Sequence, residues 1–247
     1  MLKGKVAVVT GAGQGLGKAI AESLAQKGAC VALADIQFDK VKQVAAVIAR
    51  AGGKALPLEA DVSKVADIRR MIQATVDGFG GLDILVNNAG ILHLTAIEDI
   101  TEEEWDRMMA VNLKSVFFSI QQALPFMKEK KGGRIISISS LAGRMGGYTN
   151  GVAYSASKAG IIGLTRAIAR RVADFGITVN AIAPGTTETD IIKGLSPGQI
   201  DMLKQTIPLK RLGRPDNVSE LVAFLCSEAA DFITGAVIDV NGGIYMA

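Results

Sequence analysis

The sequence has one histidine and only two cysteines, Cys30 and Cys226, in 247 residues. Each thiol is flanked by apolar residues and no C-x-x-C motif occurs, so neither a disulfide framework nor an all-protein zinc site is expected, and no metal-binding residue is assigned. No secretory leader is visible at Met1-Leu2-Lys3, which with the sparse cysteine usage points to a reducing, cytoplasmic setting. No apolar run reaches the roughly 18 to 20 residues needed to cross a bilayer. Net charge is only +3, with acids and bases interspersed, which argues against nucleic acid and membrane surfaces as partners. The densest basic cluster, Lys128, Lys130 and Lys131, reads as a solvated helix end.

What is present suits one large core. The chain is 49% hydrophobic and carries 28 glycines, which fits a single α/β domain over 1–247. Short β-branched runs alternate with helical patterns: strands are expected at Lys5–Thr10, Cys30–Ala34, Ala55–Glu59, Ile84–Asn87, Arg134–Ser139, Thr178–Ile182 and Ala236–Val240. Apolar spacing of three and four predicts helices at Lys18–Lys27, Asp39–Ala51, Val65–Phe79, Glu102–Lys130 and Ala153–Phe175. Fully apolar strands interleaved with amphipathic helices imply a Rossmann-type, doubly wound sheet of seven parallel strands flanked by helices.

The first strand runs into Thr10-Gly11-Ala12-Gly13-Gln14-Gly15-Leu16-Gly17 and then a helix, the context a phosphate-binding loop requires. Glycine admits the pyrophosphate close to the backbone, and the helix start supplies free N–H groups. Gly11, Gln14, Gly15, Leu16 and Gly17 are therefore candidate dinucleotide ligands, with a plain glycine turn as the alternative. The spacing is T-G-x-x-x-G-x-G, because Leu16 stands where the third glycine of G-x-G-x-x-G would fall. Asp35 ends the second strand, eighteen residues past Gly17, where a carboxylate can accept hydrogen bonds from adenosine ribose hydroxyls and repel a 2′-phosphate. Gln14, Ile36 and Gln37 offer no cation in its place, so NAD(H) is preferred over NADP(H). The bland alternative for Asp35 is a turn former.

Tyr154-Ser155-Ala156-Ser157-Lys158 sets a phenol and an ammonium on one helix face. Taken alone, such spacing is often a solvated pair. An ammonium about 4 Å from a phenol, at an effective dielectric near 20, contributes roughly 4 kcal/mol, or about three pKa units, before desolvation takes some back. That would bring a tyrosine toward neutrality and fit it for acid/base work.

With Asn87-Asn88-Ala89-Gly90 after the fourth strand, the glycine loop and Tyr154-x-x-x-Lys158 resemble the short-chain dehydrogenase/reductase family across essentially the whole chain. Further matches are Asp61-Val62, Asn112, Ser139-Ser140, Pro184-Gly185, Arg211-Leu212-Gly213-Arg214-Pro215 and Asn241-Gly242-Gly243. The resemblance implies that Asp61 and Val62 bracket the adenine, that Asn88, Ala89 and Gly90 lie against the adenosine ribose, and that Pro184, Gly185, Thr187 and Thr189 serve the nicotinamide end. It implies a catalytic set of Asn112, Ser140, Tyr154 and Lys158. Tyr154 would transfer the proton and Ser140 polarise the substrate oxygen. Lys158 would also bind the nicotinamide ribose, and Asn112 would hold a relay water, although its bland reading is a surface amide. Ser140 is preferred to Ser139 because it is second in the pair, three residues before Gly143 and fourteen before Tyr154.

The implied activity is NAD(H)-linked interconversion of a secondary alcohol and a ketone. The substrate would meet Leu92 to Leu94, Leu141-Ala142, Gly146 to Thr149 and Gly185 to Thr187, under a lid at about 190–206. His93 reads as a loop or pocket-lining residue. The alternative is a 3-oxoacyl-acyl-carrier-protein reductase, opposed by Asp35 and by Phe175 where an arginine helps dock the acidic carrier, with Arg170, Arg171 and Lys131 as compensating cations. A non-catalytic nucleotide-binding scaffold is a third reading, which the presence of Tyr154 and Lys158 opposes. Apolar surface on the two long helices would be buried by a symmetric interface, and the resemblance implies a homotetramer formed through these helices and the C-terminal segment, where Ile244-Tyr245-Met246-Ala247 is apolar.

Overall fold

The computed structural model describes residues 1–147, 151–188 and 196–247. The expected strands form as β1 (Val6–Thr10), β2 (Cys30–Asp35), β3 (Lys54–Glu59), β4 (Ile84–Asn87), β5 (Gly133–Ile138), β6 (Ile177–Pro184) and β7 (Val237–Val240). They pair in parallel throughout, in the order β3-β2-β1-β4-β5-β6-β7. Alternate residues feed two cores, one on each face of the sheet. Ala7, Val9, Ile84, Val86, Ile136 and Ile138 pack on one side, and Val8, Leu85, Ile135, Val179 and Ala181 on the other. Burial on both faces explains why these strands read as continuous apolar runs. Pro57 sits in the edge strand β3, where a missing N–H costs little.

Helices α1 (Gly15–Gln26), α2 (Phe38–Arg50), α3 (Val65–Phe79) and α7 (Val152–Val172) lie close to their expected ranges. The long run expected at Glu102–Lys130 is broken. It forms α4 (Glu102–Met109), one π-helical turn at Ala110–Lys114 and α5 (Ser115–Glu129). The extra residue of the wide turn coincides with Asn112, which is fully buried and bonded to the backbone of Ile91. Among the described residues, three α-helices had no counterpart in the periodicity: α6 (Leu141–Met145), α8 (Pro197–Thr206) and α9 (Pro215–Leu225). Of these, α9 packs against α1, where Glu220 meets Lys27 at 2.8 Å and Ser23 at 2.9 Å.

Strand order reverses between β1 and β4, and their carboxyl ends flank the crevice where a doubly wound sheet binds ligands. Thr10, Asn87, Ile138 and Pro184 end their strands on this edge. The motifs read separately along the chain are thereby gathered into one place.

Candidate active site

At the nucleotide end, Gly11 has φ +65° and a Cβ there would come 2.9 Å from Ala89 Cα. A Cβ on Gly17 would overlap the carbonyl oxygen of Gly11. The loop and the start of α1 are thus packed backbone to backbone. Gln14 gives α1 no side-chain cap, so the leading N–H groups remain available to an anion. This bare, glycine-built cradle fits the diphosphate of a dinucleotide.

Asn88 braces the same loop: its amide donates to the carbonyls of Thr10 and Gly11 at 2.9 and 3.1 Å. Thr10 Oγ1 in turn accepts from the N–H groups of Asn88 and Ala89. Asp35 is buried, with one carboxylate oxygen accepting from Gly13 N at 3.0 Å and the other from Gln37 N at 2.9 Å. Each oxygen keeps a lone pair for a ribose hydroxyl. Gln14, Ile36 and Gln37 carry no cation, but Lys40 on α2, a helical turn beyond the residues adjoining Asp35, donates to the Gln14 side chain.

Asp61 accepts from the N–H and hydroxyl of Ser63 at 3.0 and 2.7 Å. Burial works against its ionisation, but these bonds and Lys64 win and hold the carboxyl below its ordinary range. Val62 beside it is buried. Pro184 ends β6, Gly185 abuts Asn241, and Thr187 is buried with its hydroxyl on Gly185 O at 3.2 Å. Thr189, Tyr148 and Thr149 lie outside the described residues, as does 190–195 of the expected lid. Its remainder is α8, which a Ser196–Gln199 capping box closes.

At the chemical end, β5 delivers Ser139 and Ser140 with opposite orientations, as strand alternation requires. Ser139 donates to Lys158 O at 2.8 Å, whereas the Ser140 hydroxyl lies near enough to the Tyr154 phenol to lower its pKa. Ser140 also caps α6, its oxygen accepting from Ala142 N at 3.1 Å. Lys158 is buried and donates to Ile138 O at 2.8 Å, with its ammonium 5.7 Å from the centre of the Tyr154 ring. Asn112 accepts from Ile91 N at 2.8 Å and donates to Ile91 O at 2.9 Å and Ser157 Oγ at 3.1 Å. Gly90 closes the group, facing both Asn112 Oδ1 and Lys158 Nζ. The structure therefore brings Asn112, Ser140, Tyr154 and Lys158 together. His93 is exposed, and its carbonyl abuts Gly151 at the start of α7.

The electrostatics differ from the expectation. Burial pushes the Tyr154 phenol above its ordinary value of 10, and the neighbouring Ser140 hydroxyl pulls it only partly back. Burial also lowers Lys158 from 10.5 to about 8. Exclusion of water, which penalises both charged forms, outweighs the attraction that the four-residue spacing suggested.

A family model described as enoyl-(acyl carrier protein) reductase matches residues 11–245. The chain is 43% identical over 245 residues to the 3-oxoacyl-(acyl-carrier-protein) reductase FabG of Staphylococcus epidermidis, covering 98% of this chain and 99% of that one. It is 44% identical over 247 residues to the reductase of the same name from Vibrio cholerae, covering 99% of each. Its fold superposes on a short-chain type dehydrogenase/reductase from Mycobacterium marinum with a TM-score of 0.94 at 36% identity, covering 100% of this chain and 97% of that one.

The chain belongs to the short-chain dehydrogenase/reductase family. Enzymes of this family act on CH–OH groups with NAD(P)(H), and this chain is an oxidoreductase of that class. Among the described residues, no helix is long and apolar enough to cross a membrane.

Within this oxidoreductase, several residues that brace the candidate site had no assignment from the sequence. Ser157 is fully buried, donates to Tyr154 O at 2.7 Å and accepts from Asn112. Its only signal was its place inside the Tyr154 to Lys158 stretch. Thr10 was visible only as the first letter of the glycine motif. Arg144 and Asp239, bonded at 2.7 and 3.0 Å, are 95 residues apart and left no mark in any local pattern.

Proposed function

We propose that the enzyme interconverts a secondary alcohol and a ketone with NAD(H) preferred over NADP(H), Tyr154 serving as general acid/base. The observation that carries this reading is the convergence of Asn112, Ser140, Tyr154 and Lys158 beside a glycine cradle at the carboxyl edge of the sheet. Gly11, Gln14, Gly15, Leu16 and Gly17 would hold the diphosphate, Asp35 the adenosine ribose, and Asp61, Val62, Asn88, Ala89 and Gly90 its surroundings. Pro184, Gly185, Thr187 and Thr189 would serve the other end. When bound, the nicotinamide supplies or accepts the hydride.

Tyr154 holds the proton that a ketone oxygen needs as it becomes a hydroxyl, and takes it back when an alcohol is oxidised. Its raised pKa keeps the phenol protonated at neutral pH, the form required in the reducing direction. Ser140 accepts from Ala142, so its O–H is free to donate toward negative charge developing on the substrate oxygen. Lys158 carries positive charge at neutral pH and is assigned the nicotinamide ribose as well. Asn112 keeps the Ile91 loop seated and is assigned the relay water. The segment 190–206 is assigned as the lid.

A second reading, a 3-oxoacyl-acyl-carrier-protein reductase, is supported by the names of the two bacterial relatives. One surface feature also favours it. Lys128 lies 4.3 Å over the Phe175 ring, which brings a cation to the position where Phe175 replaces a docking arginine. Secondary alcohols, diols, polyols and β-ketoacyl thioesters should be screened with both coenzymes by absorbance of the reduced nicotinamide. NAD-linked turnover of simple alcohols supports the first reading. Strong NADPH preference with β-ketoacyl thioesters alone would replace it with the second, and coenzyme binding without turnover would favour a scaffold.

A further inference from the structure

Helix α6 spans only Leu141–Met145, too short to persist without tertiary anchors, yet it begins at Ser140. One anchor is Gly143, where a Cβ would lie 2.7 Å from the Lys158 carbonyl carbon, so that α6 rests directly on the α7 backbone. The other is Arg144. Its Nε donates to Asp239 Oδ1 at 3.0 Å, and its Nη2 donates to Asp239 Oδ2 and to Val237 O, both at 2.7 Å. The two side chains are 12% and 19% exposed. Two parallel bonds between a guanidinium and a carboxylate set the plane and angle of approach as well as the distance.

Asp239 is pinned in turn. Its strand β7 registers it against Ala183, next to Pro184 at the site edge. Beyond β7, Asn241 donates to Tyr245 O at 3.1 Å, and the Tyr245 ring lies 5.5 Å from the Arg144 guanidinium. The C-terminal tail thus closes over the pair.

We infer that Arg144 and Asp239 are a positioning pair that holds α6, and with it the Ser140 hydroxyl, against Tyr154 and ties that placement to β7 and the C-terminal tail. The inference rests on the reading of Ser140 as partner of the Tyr154 phenol. Neither residue of the pair is assigned contact with substrate or cofactor; both act through Ser140.

The sign of the effect on Tyr154 separates positioning from simple charge. The titratable and charged groups on α7 and on the elements packed against it include Lys158 on its own helix, Arg144 on α6 with its partner Asp239, Glu102, Glu103, Glu104, Asp106 and Arg107 on α4, Lys114 of the π-helical turn, Arg134 on β5 and His93 in the loop against Gly151. Replacing Asp239 by asparagine removes a negative charge, which through space favours the phenolate and lowers the Tyr154 pKa. Loosening Ser140 moves away the hydroxyl that favours the phenolate, and raises it.

The measurement is a phenolate absorbance titration of the purified enzyme near 295 nm, with the Tyr154→Phe curve subtracted to isolate Tyr154. It requires no substrate. Ser140→Ala should raise the pKa, Asp239→Asn should raise it toward the same value, and the double variant should show nothing beyond Ser140→Ala. Arg144→Lys, which keeps the charge but loses the fork, should also raise it and serves as the second probe if the asparagine variant does not fold. An unchanged or lowered pKa in Asp239→Asn, with Ser140→Ala shifted as expected, would overturn the positioning pair alone. No shift in Ser140→Ala would remove the coupling on which the reading itself stands.

Discussion

At the scale of single residues, the proposed chemistry turns on a phenol whose pKa burial raises and an ammonium whose pKa burial lowers. Tyr154→Phe should lower turnover by about 10² to 10⁴ while leaving NADH binding, followed by fluorescence, near its original strength. Lys158 has a distinct signature. Unfolding returns its pKa from about 8 to 10.5, so between those values the unfolded chain binds more protons and stability rises with pH. The contribution, on the order of 3 kcal/mol at full extent, is present above 10.5 and lost as pH falls through about 8. Cys226 acts oppositely: burial raises its pKa from 9 to about 12, and its contribution declines as pH rises above 9. Urea unfolding at pH 7, 8 and 9 should therefore show a rise in the wild type that is flattened in Lys158→Met. Coenzyme choice is a third residue-scale matter. Asp35→Ser should strengthen NADP(H) binding relative to NAD(H). Lys40→Met in that background should reverse the gain by roughly tenfold to a hundredfold, the worth of a charge-assisted bond, as read by coenzyme titration.

At the scale of elements, the glycine loop and the π-helical turn show how local chemistry is converted into placement. Gly17 leaves no room for a methyl between the Gly11 carbonyl and the Asn88 amide. Gly17→Ala should cost about 1 to 3 kcal/mol, seen as a lower melting temperature, and should abolish NADH binding, because the loop must move away from α1 to relieve the overlap. The loop was legible in the sequence, since a T-G-x-x-x-G-x-G run after a strand leaves few other structures open. The π-helical turn was not. Apolar spacing continues smoothly through Val111 and Leu113, and only the partnership of Asn112 with Ile91, twenty-one residues earlier, selects the wider turn. Helix α6 escaped for a related reason: five residues with no periodicity of their own are held by Gly143 and Arg144 against distant partners.

At the scale of the whole molecule, some of the exposed apolar side chains lie on helices that frame the site. Trp105 on α4, Phe117 on α5 and Val152 on α7 are 38%, 41% and 47% exposed, and a symmetric interface would remove them from water. Gel filtration should give an assembly of about four times the 25.8 kDa chain mass. A stable species at the chain mass would refute the homotetramer.

Alternating apolar strands and amphipathic helices determined the doubly wound sheet without any tertiary information, because burial on both faces leaves a signature in every strand. The order of short motifs likewise determined the reaction class, since each motif is local, and those that end strands fall on the one sheet edge that the Tyr154 helix and Asn112 also meet. Only the tertiary structure decided the electrostatics of the Tyr154–Lys158 pair, the cation of Lys40 beside Gln14, and the Arg144–Asp239 bridge. Those depend on which atoms exclude water and which distant chain segments meet, and neither is encoded in the spacing of neighbours along the sequence.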